Sequence, residues 1–166
     1  MPEEIFPLVD ESGQVVGQAT RSLCHSGGKA LHPVVHLHVF NSQGNLLLQK
    51  RAANKDIQPG KWDTSVGGHM DFGESVEAAL YREAGEELGI ENFIPEFLQS
   101  YIFESDVEKE LVYSYKTVYD GTFLFEKKEI DQIRFWSVME IKNTFGKSVF
   151  TPNFEYEFRR IFLKSL

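Results

Sequence analysis

The chain has a single cysteine, Cys24, in 166 residues, which excludes an intramolecular disulfide and fits a reducing compartment. Basic residues are the minority: 17 Lys and Arg stand against 25 Asp and Glu, a net charge of −8. That balance argues against a broad nucleic-acid-binding face. An anionic ligand would need local lysines, arginines or a metal ion to offset the field. No apolar run approaches the length of a membrane span, and the acidic start MPEEIFPLVD has no signal-peptide core. These absences lead us to expect a cytoplasmic protein with neither a membrane nor a nucleic-acid partner. Internal repeats, low-complexity tracts and linkers are also lacking. Residues 1–166 therefore read as one domain, long enough for a real core.

Strand and turn signals fill most of the chain. Ile5–Asp10 and Gln14–Ala19, joined around Glu11-Ser12-Gly13, read as an N-terminal hairpin over about residues 5–19. Val34–Phe40 and Asn45–Arg51 are strands around a turn at Asn41–Gly44, followed by a loop over Asn54–Lys61 and a short strand at Trp62–Val66. Further strand-like stretches are Phe97–Glu104, Leu111–Tyr119 and Ile133–Ser137. A C-terminal helix is expected over about residues 151–164, capped by Thr151, started by Pro152 and striped by Phe154, Phe158, Ile161 and Phe162. Strands interleaved with a few helices place the fold in the α/β or α+β class.

Lysine is missing where an ordinary acidic helix would have it. The segment Gly68–Ile90, GHMDFGESVEAALYREAGEELGI, puts Glu83, Glu86 and Glu87 on one side of a helix, with Glu87 four residues after Glu83 and Glu91 four after Glu87. Like charges at that spacing repel, so the face anticipates a cation. Clustered hard oxygens suit Mg²⁺ or Mn²⁺. Leu80, Tyr81, Ala84 and Leu88 form an apolar arc beside the acidic one. Ser75 suits the N-cap and Gly89 the left-handed residue past the end, with Ile90 as its hydrophobic contact. Arg82 can brace Glu74 in the preceding loop or pair with Glu86 four residues on. Gly67-Gly68 lets the backbone come close to a metal or phosphate.

The same segment resembles the Nudix box, G-x5-E-x7-R-E-U-x-E-E-x-G-U, with Gly68, Glu74, Arg82, Glu83, Glu86, Glu87, Gly89 and Ile90 in register and a small Ala84 at the first U position. The resemblance implies a mixed sheet sandwiched between helices, and a metal site formed by Glu83, Glu86, Glu87 and Gly68. Glu74, Arg82 and Gly89 would be structural. Many Nudix proteins also carry a glutamate six residues before an aromatic that ends an arginine-containing strand, here Glu129 before Phe135, as a water-orienting base.

Outside the box the chain is similar to type I isopentenyl-diphosphate isomerase. Leu31-His32, Arg51-Ala52-Ala53-Asn54-Lys55, Pro59-Gly60-Lys61-Trp62 and Ser65-Val66-Gly67-Gly68-His69 carry the similarity. It implies a second metal site from His25, His32, His69, Glu108 and Glu110, and a diphosphate site from Arg21, Arg51 and Lys55. Two isomerase features are replaced. Gly67 stands where the isomerase has a cysteine that handles a proton, and Asn153 where it has a tryptophan that steadies a carbocation. His36 and His38, alternating along one strand, are expected to be hydrogen-bonded structural residues.

The resulting expectation is a Mg²⁺- or Mn²⁺-dependent hydrolase that cleaves a phosphoanhydride in a small-molecule diphosphate, a homodimer being left open. The alternatives are the isomerase itself and a non-catalytic diphosphate sensor. The identity of the group attached to the diphosphate is not encoded in these motifs. Specificity is assigned to loops such as Asp56–Trp62 and Ser105–Lys109.

Overall fold

A computed structural model describes residues 2–55 and 57–163; Asp56 and the end of the expected C-terminal helix at Lys164 lie outside them. Strands β1 (Ile5–Val9) and β2 (Val15–Thr20) form the N-terminal hairpin. Asp10 fixes its tip by accepting the backbone N–H groups of Ser12 and Gln14. A single helical turn, α1 (Arg21–Cys24), follows, with Thr20 as N-cap. At four residues it is too short for apolar periodicity to reveal.

The main sheet has seven strands. Its centre is β3 (Leu31–Phe40), which runs parallel to β8 (Lys109–Val118), with His32 opposite Glu110 and His36 opposite Ser114. Strand β7 (Glu96–Glu104) pairs antiparallel with the outer edge of β8. Strand β4 (Leu46–Arg51) touches β3 only at Phe40 and Leu46, where the Asn41–Gly44 turn ends, and the two strands then diverge. Two short strands enter the wedge: β5 (Trp62–Asp63) on β4 and β6 (Val66–His69) on β3. The expected continuous strand at Trp62–Val66 is thus two, because the chain crosses from one wall of the wedge to the other at Thr64-Ser65. Ser65 ties the walls together: its hydroxyl accepts the Val39 N–H at 2.9 Å and donates to the Leu47 carbonyl. Strand β9 (Ile130–Trp136) closes the far edge of β4.

Helices cover both faces. Helix α2 (Val76–Leu88) packs Ala79, Leu80, Ala84 and Leu88 against Val35, Leu37, Val39 and Leu47. The small Ala84 is fully buried there, which suits close helix–sheet approach. Tyr81 sits at the margin of the apolar arc, 41 % exposed, with its ring against Phe93. On the opposite face, α3 (Val138–Thr144) and α4 (Pro152–Phe158) bury Ile141, Phe154 and Phe158 against Leu46, Leu48, Trp62 and Trp136. Helix α3 was not anticipated, although Ser137 and Glu140 form a complete capping box. The C-terminal helix starts as expected, with Thr151 accepting the Phe154 N–H, but widens to a π-helix over Arg159–Leu163. The result is an α/β/α sandwich with a mixed central sheet. In the wedge between β3 and β4 the strand edges part and side chains from both faces can meet.

Candidate active site

The acidic helix face lies at the mouth of this wedge. Ser75 caps α2 by accepting the Ala78 N–H at 3.1 Å, and Gly89 ends it at φ 67°. A side chain at Gly68 would overlap the Glu83 carboxylate, so its absence lets Glu83 lie across β6. Glu87 is half-buried at the base of the cluster and accepts a hydrogen bond from Gln49 Nε2 at 2.7 Å. Burial, then repulsion from Glu83, raises the Glu87 pKa well above the ordinary carboxylate range; burial also raises that of Glu83. Glu86 is the exposed member, its side chain 60 % accessible.

Arg82 resolves the two pairings open in the sequence by making both. It donates to Glu74 at 2.7 and 3.0 Å and to the His69 carbonyl at 2.9 Å, and it reaches Glu83 at 2.8 Å and Glu86 at 3.2 Å. The acidic face therefore has a basic partner, contrary to the reading from i,i+4 spacing. Arg82 sits one residue from Glu83 and folds back along the helix flank, a contact that spacing rules do not capture. The Arg82 hydrogen bonds hold the Glu74 carboxyl below its usual range. Together they clamp β6, the loop and the helix into one rigid unit.

A second cluster forms on the other side of β6. His25 follows α1, His32 lies on β3, His69 ends β6, and Glu108 and Glu110 enter β8. One ligand atom from each of His25, His32, His69 and Glu108 lies within 4.8 Å of the others. Glu110 stands 3.9 Å from His69 and 4.0 Å from His32. His32 Nδ1 bonds the Ala30 carbonyl at 2.9 Å, which turns its Nε2 inward. The Nε2 atoms of His25, His32 and His69 are buried without hydrogen-bond partners. His25 Nε2 does approach Glu108 to 2.8 Å, an ion-pair distance without hydrogen-bond geometry. Burial first lowers the pKa of all three imidazoles, which keeps them neutral, and it raises Glu108. Burial and the neighbouring Glu108 push Glu110 up to about 8. Phe6, which the sequence did not single out, stacks on His69 with ring centroids 4.5 Å apart. The N-terminal hairpin is thereby the lid of this cluster.

Both clusters open into one cleft of about 940 Å³. Arg21, Arg51, Lys55 and Glu129 line it as well, but each is engaged. Arg21 pairs with Glu4 at 3.0 Å, and Arg51 donates to the Ile57 carbonyl at 3.0 Å and stands 3.6 Å from Asp63. Lys55 and Glu129 pair with each other, and that contact lowers the Glu129 pKa. Gly67 and Asn153 also line the cleft. Cys24 is fully buried between Phe6 and Ala19 and is not part of the wall. Gln49, which fixes Glu87, was missed because a lone glutamine on a strand carries no local signal.

The family model described as NUDIX domain matches residues 30–154. Over 122 residues, 73% of this chain and 68% of the relative, the sequence is 38% identical to isopentenyl-diphosphate Delta-isomerase 2 of Photorhabdus laumondii. Over 150 residues, 90% of this chain and 81% of the relative, it is 31% identical to an uncharacterized Nudix hydrolase of Yersinia pestis. The chain spans about half the length of several further relatives that it matches. Among solved structures, DR0079 from Deinococcus radiodurans superposes with a TM-score of 0.83 at 28% identity, covering 96% of this chain and 99% of that one. Fold, box geometry and sequence agree: the chain belongs to the Nudix family.

Proposed function

We propose that this protein is a divalent-metal-dependent hydrolase that cleaves the phosphoanhydride of a small-molecule diphosphate. The observation that carries the reading is the carboxylate cluster itself, with Glu87 half-buried and held by Gln49, and Glu83 laid across a glycine and held by Arg82. Metal-free, the cluster is costly, because burial and mutual repulsion oppose its charge. A hard dication relieves that cost, and all-oxygen donors suit Mg²⁺ or Mn²⁺. Glu83, Glu86, Glu87 and the Gly68 carbonyl would hold it. When bound, such an ion neutralises phosphoryl charge and lowers the pKa of water. In the reaction a water oxygen bonds to one phosphorus as its proton passes to a base of the cleft or to solvent, the bridging P–O bond breaks, and the departing oxygen leaves as phosphate or phosphate ester. Arg51 and Lys55 line the same cleft and would bind non-bridging oxygens, once Lys55 exchanges its contact with Glu129 for the substrate. Glu129, exposed and released by that exchange, would orient water.

The His/Glu cluster fits a second cation equally well: three buried imidazole nitrogens lack partners, and neutral imidazole is the ligating form. Its mixed nitrogen–oxygen donor set suits a transition-metal dication better than Mg²⁺.

One reading competes. Relatives named isopentenyl-diphosphate isomerase, together with this second cluster, favour allylic isomerisation. Gly67 and Asn153 oppose it, since neither side chain can move a proton to carbon or steady a carbocation. Purified protein with Mg²⁺ and a panel of diphosphates, followed by ³¹P NMR, tests the hydrolase; the expected result is release of phosphate or a phosphomonoester. Deuterium entering isopentenyl diphosphate in D₂O, with no phosphate released from any compound, would establish the isomerase instead.

A further inference from the structure

Glu157 is a fully buried carboxylate on α4 that belongs to neither cluster. Four side chains donate to it: His36 Nδ1 at 2.7 Å, Ser114 Oγ at 2.9 Å, His38 Nε2 and the Tyr101 hydroxyl. No lysine or arginine among the described residues pairs with it, so its charge must be balanced by a histidine. His38 Nδ1 is buried without a partner, so a hydrogen placed there would go unsatisfied, whereas the second nitrogen of His36 faces the cleft. The proton falls on His36. Burial opposes it, but Glu157 outweighs burial, and Glu110 and Asp63 add to the effect; the His36 pKa is raised to about 9. Glu157 in turn is held well below the carboxylate range against its own burial, by His36 and His38.

The other edge of the His36 ring meets the cleft, whose wall it joins. The side chain is 13 % exposed, and the register places it opposite Gly67 on β6. A Cβ at position 67 would lie 3.3 Å from His36 Cδ2 and 3.6 Å from Nε2. The Gly67 φ lies outside the left-handed region, so the backbone does not demand glycine there. What the missing side chain does is leave an opening onto the ring. That opening stands between the two clusters, one residue from Gly68 and two from His69.

We propose that His36 is a substrate-contacting residue: through the opening at Gly67, its Nε2–H donates to an anionic oxygen of the bound diphosphate, and Glu157 is the positioning residue that holds the ring. This assignment rests on the diphosphate-hydrolase reading above. It supplies the cleft with a cationic donor that is not tied up in a surface ion pair, unlike Arg21, Arg51 and Lys55.

The test uses the full chain with Mg²⁺ and methylenediphosphonate, a diphosphate analogue that cannot be hydrolysed, titrated by calorimetry. Gly67→Val fills the opening and presses only on the Cδ2/Nε2 edge of the His36 ring, away from the Nδ1 that bonds Glu157, and His36→Gln removes the charge. Each is expected to weaken the analogue about tenfold or more, with Mn²⁺ binding, read by EPR, unchanged. In ¹⁵N-histidine spectra the His36 Nε2–H signal of the unaltered protein should shift on adding the analogue, and this shift should vanish in Gly67→Val. Glu157→Gln should move the His36 nitrogens toward neutral-imidazole values and weaken the analogue similarly. If the unaltered protein binds the analogue and folded Gly67→Val binds it equally well, the His36 assignment is wrong and the hydrolase reading stands. Should the unaltered protein not bind the analogue, both fall. Because Gly67→Val keeps both His36 and Glu157, it decides the matter even if the His36 and Glu157 variants do not fold, provided that its ¹⁵N-histidine spectrum still shows the His36 Nδ1–H bonded to Glu157.

Discussion

The two acidic clusters of the cleft are built in opposite ways. Glu83, Glu86 and Glu87 come from little more than one turn of α2, oriented by a cap at Ser75, a stop at Gly89 and a clamp at Arg82, all within the segment Gly68–Ile90. His25, His32, His69, Glu108 and Glu110 come from four separate stretches of chain, brought together by the parallel β3–β8 register, the β3–β6 register and the hairpin that sets Phe6 over them. The first is a local device placed in a wedge. The second exists only because the sheet exists. They differ chemically too: burial raises carboxylates in both, but the helix cluster offers only oxygen, whereas the sheet cluster adds neutral imidazoles.

If the helix cluster carries the hydrolysis, the largest effect belongs to it. Glu87→Gln should cut turnover about a thousandfold, roughly 4 kcal/mol in the barrier, with circular dichroism unchanged. Gly68→Ala should approach the same loss, because a methyl group there displaces Glu83. A near-normal rate for either variant at saturating Mg²⁺ would remove the helix cluster from the chemistry and break the contrast.

The next effect concerns stability, in the charged pair between the clusters. Losing the His36 charge leaves Glu157 without its cation, and His36→Gln should cost about 2 kcal/mol, less than full removal of a buried partner because a hydrogen bond can remain. The sign follows from linkage. The folded His36 pKa, about 9, lies above its ordinary 6.5, so its contribution is complete below 6.5 and fades as pH rises through 9. Glu157 is depressed from 4.5, so its contribution is present above 4.5 and is lost as pH falls through its folded value. The gap in melting temperature between the unaltered protein and His36→Gln should therefore be widest between about pH 4.5 and 6.5 and should narrow toward pH 9. A gap that widens with alkalinity would mean that His36 is neutral in the fold.

Arg51→Ala should raise KM about tenfold, or about 1.4 kcal/mol, with little change in Mn²⁺ affinity. An altered melting temperature with unchanged kinetics would make Arg51 a brace between Asp63 and the Ile57 carbonyl and nothing more. The smallest effect sharpens the comparison from the other side. His69→Gln should lower the number of Mn²⁺ ions bound by one while changing hydrolytic turnover less than about threefold, near 0.6 kcal/mol. Collapse of hydrolysis in that variant would make the sheet cluster a partner in the chemistry.

The helix cluster was legible in the sequence because helix geometry relates positions three and four apart, so a linear spacing is already a three-dimensional statement. Caps and the left-handed Gly89 are similarly local, and both appeared where the residues placed them. The sheet cluster could be read only through resemblance to the isomerase, since nothing in residues 25, 32, 69, 108 and 110 taken alone says that they converge. Gln49, Phe6 and Glu157 were silent for the same reason. Glu157 sits in an amphipathic helix where a charge normally signals the solvent side, yet it is fully buried, because β3 presents His36 and His38 beneath it. The alternation that marked those histidines as structural was sound as far as it went, but it could not reveal which carboxylate they bind or that one ring edge reaches the cleft.

By itself, then, the sequence determined the element types, the box geometry and the two-faced helix, all of which follow from short-range sterics and periodicity. Only the tertiary structure decided that β3 and β4 part after Phe40, that the chain crosses their wedge at Ser65, and that two clusters and the His36 edge share one space. The physical reason is that strand pairing joins residues far apart in the chain. Which partners meet is set by competition among all edges of the sheet, and no single stretch of residues contains that information.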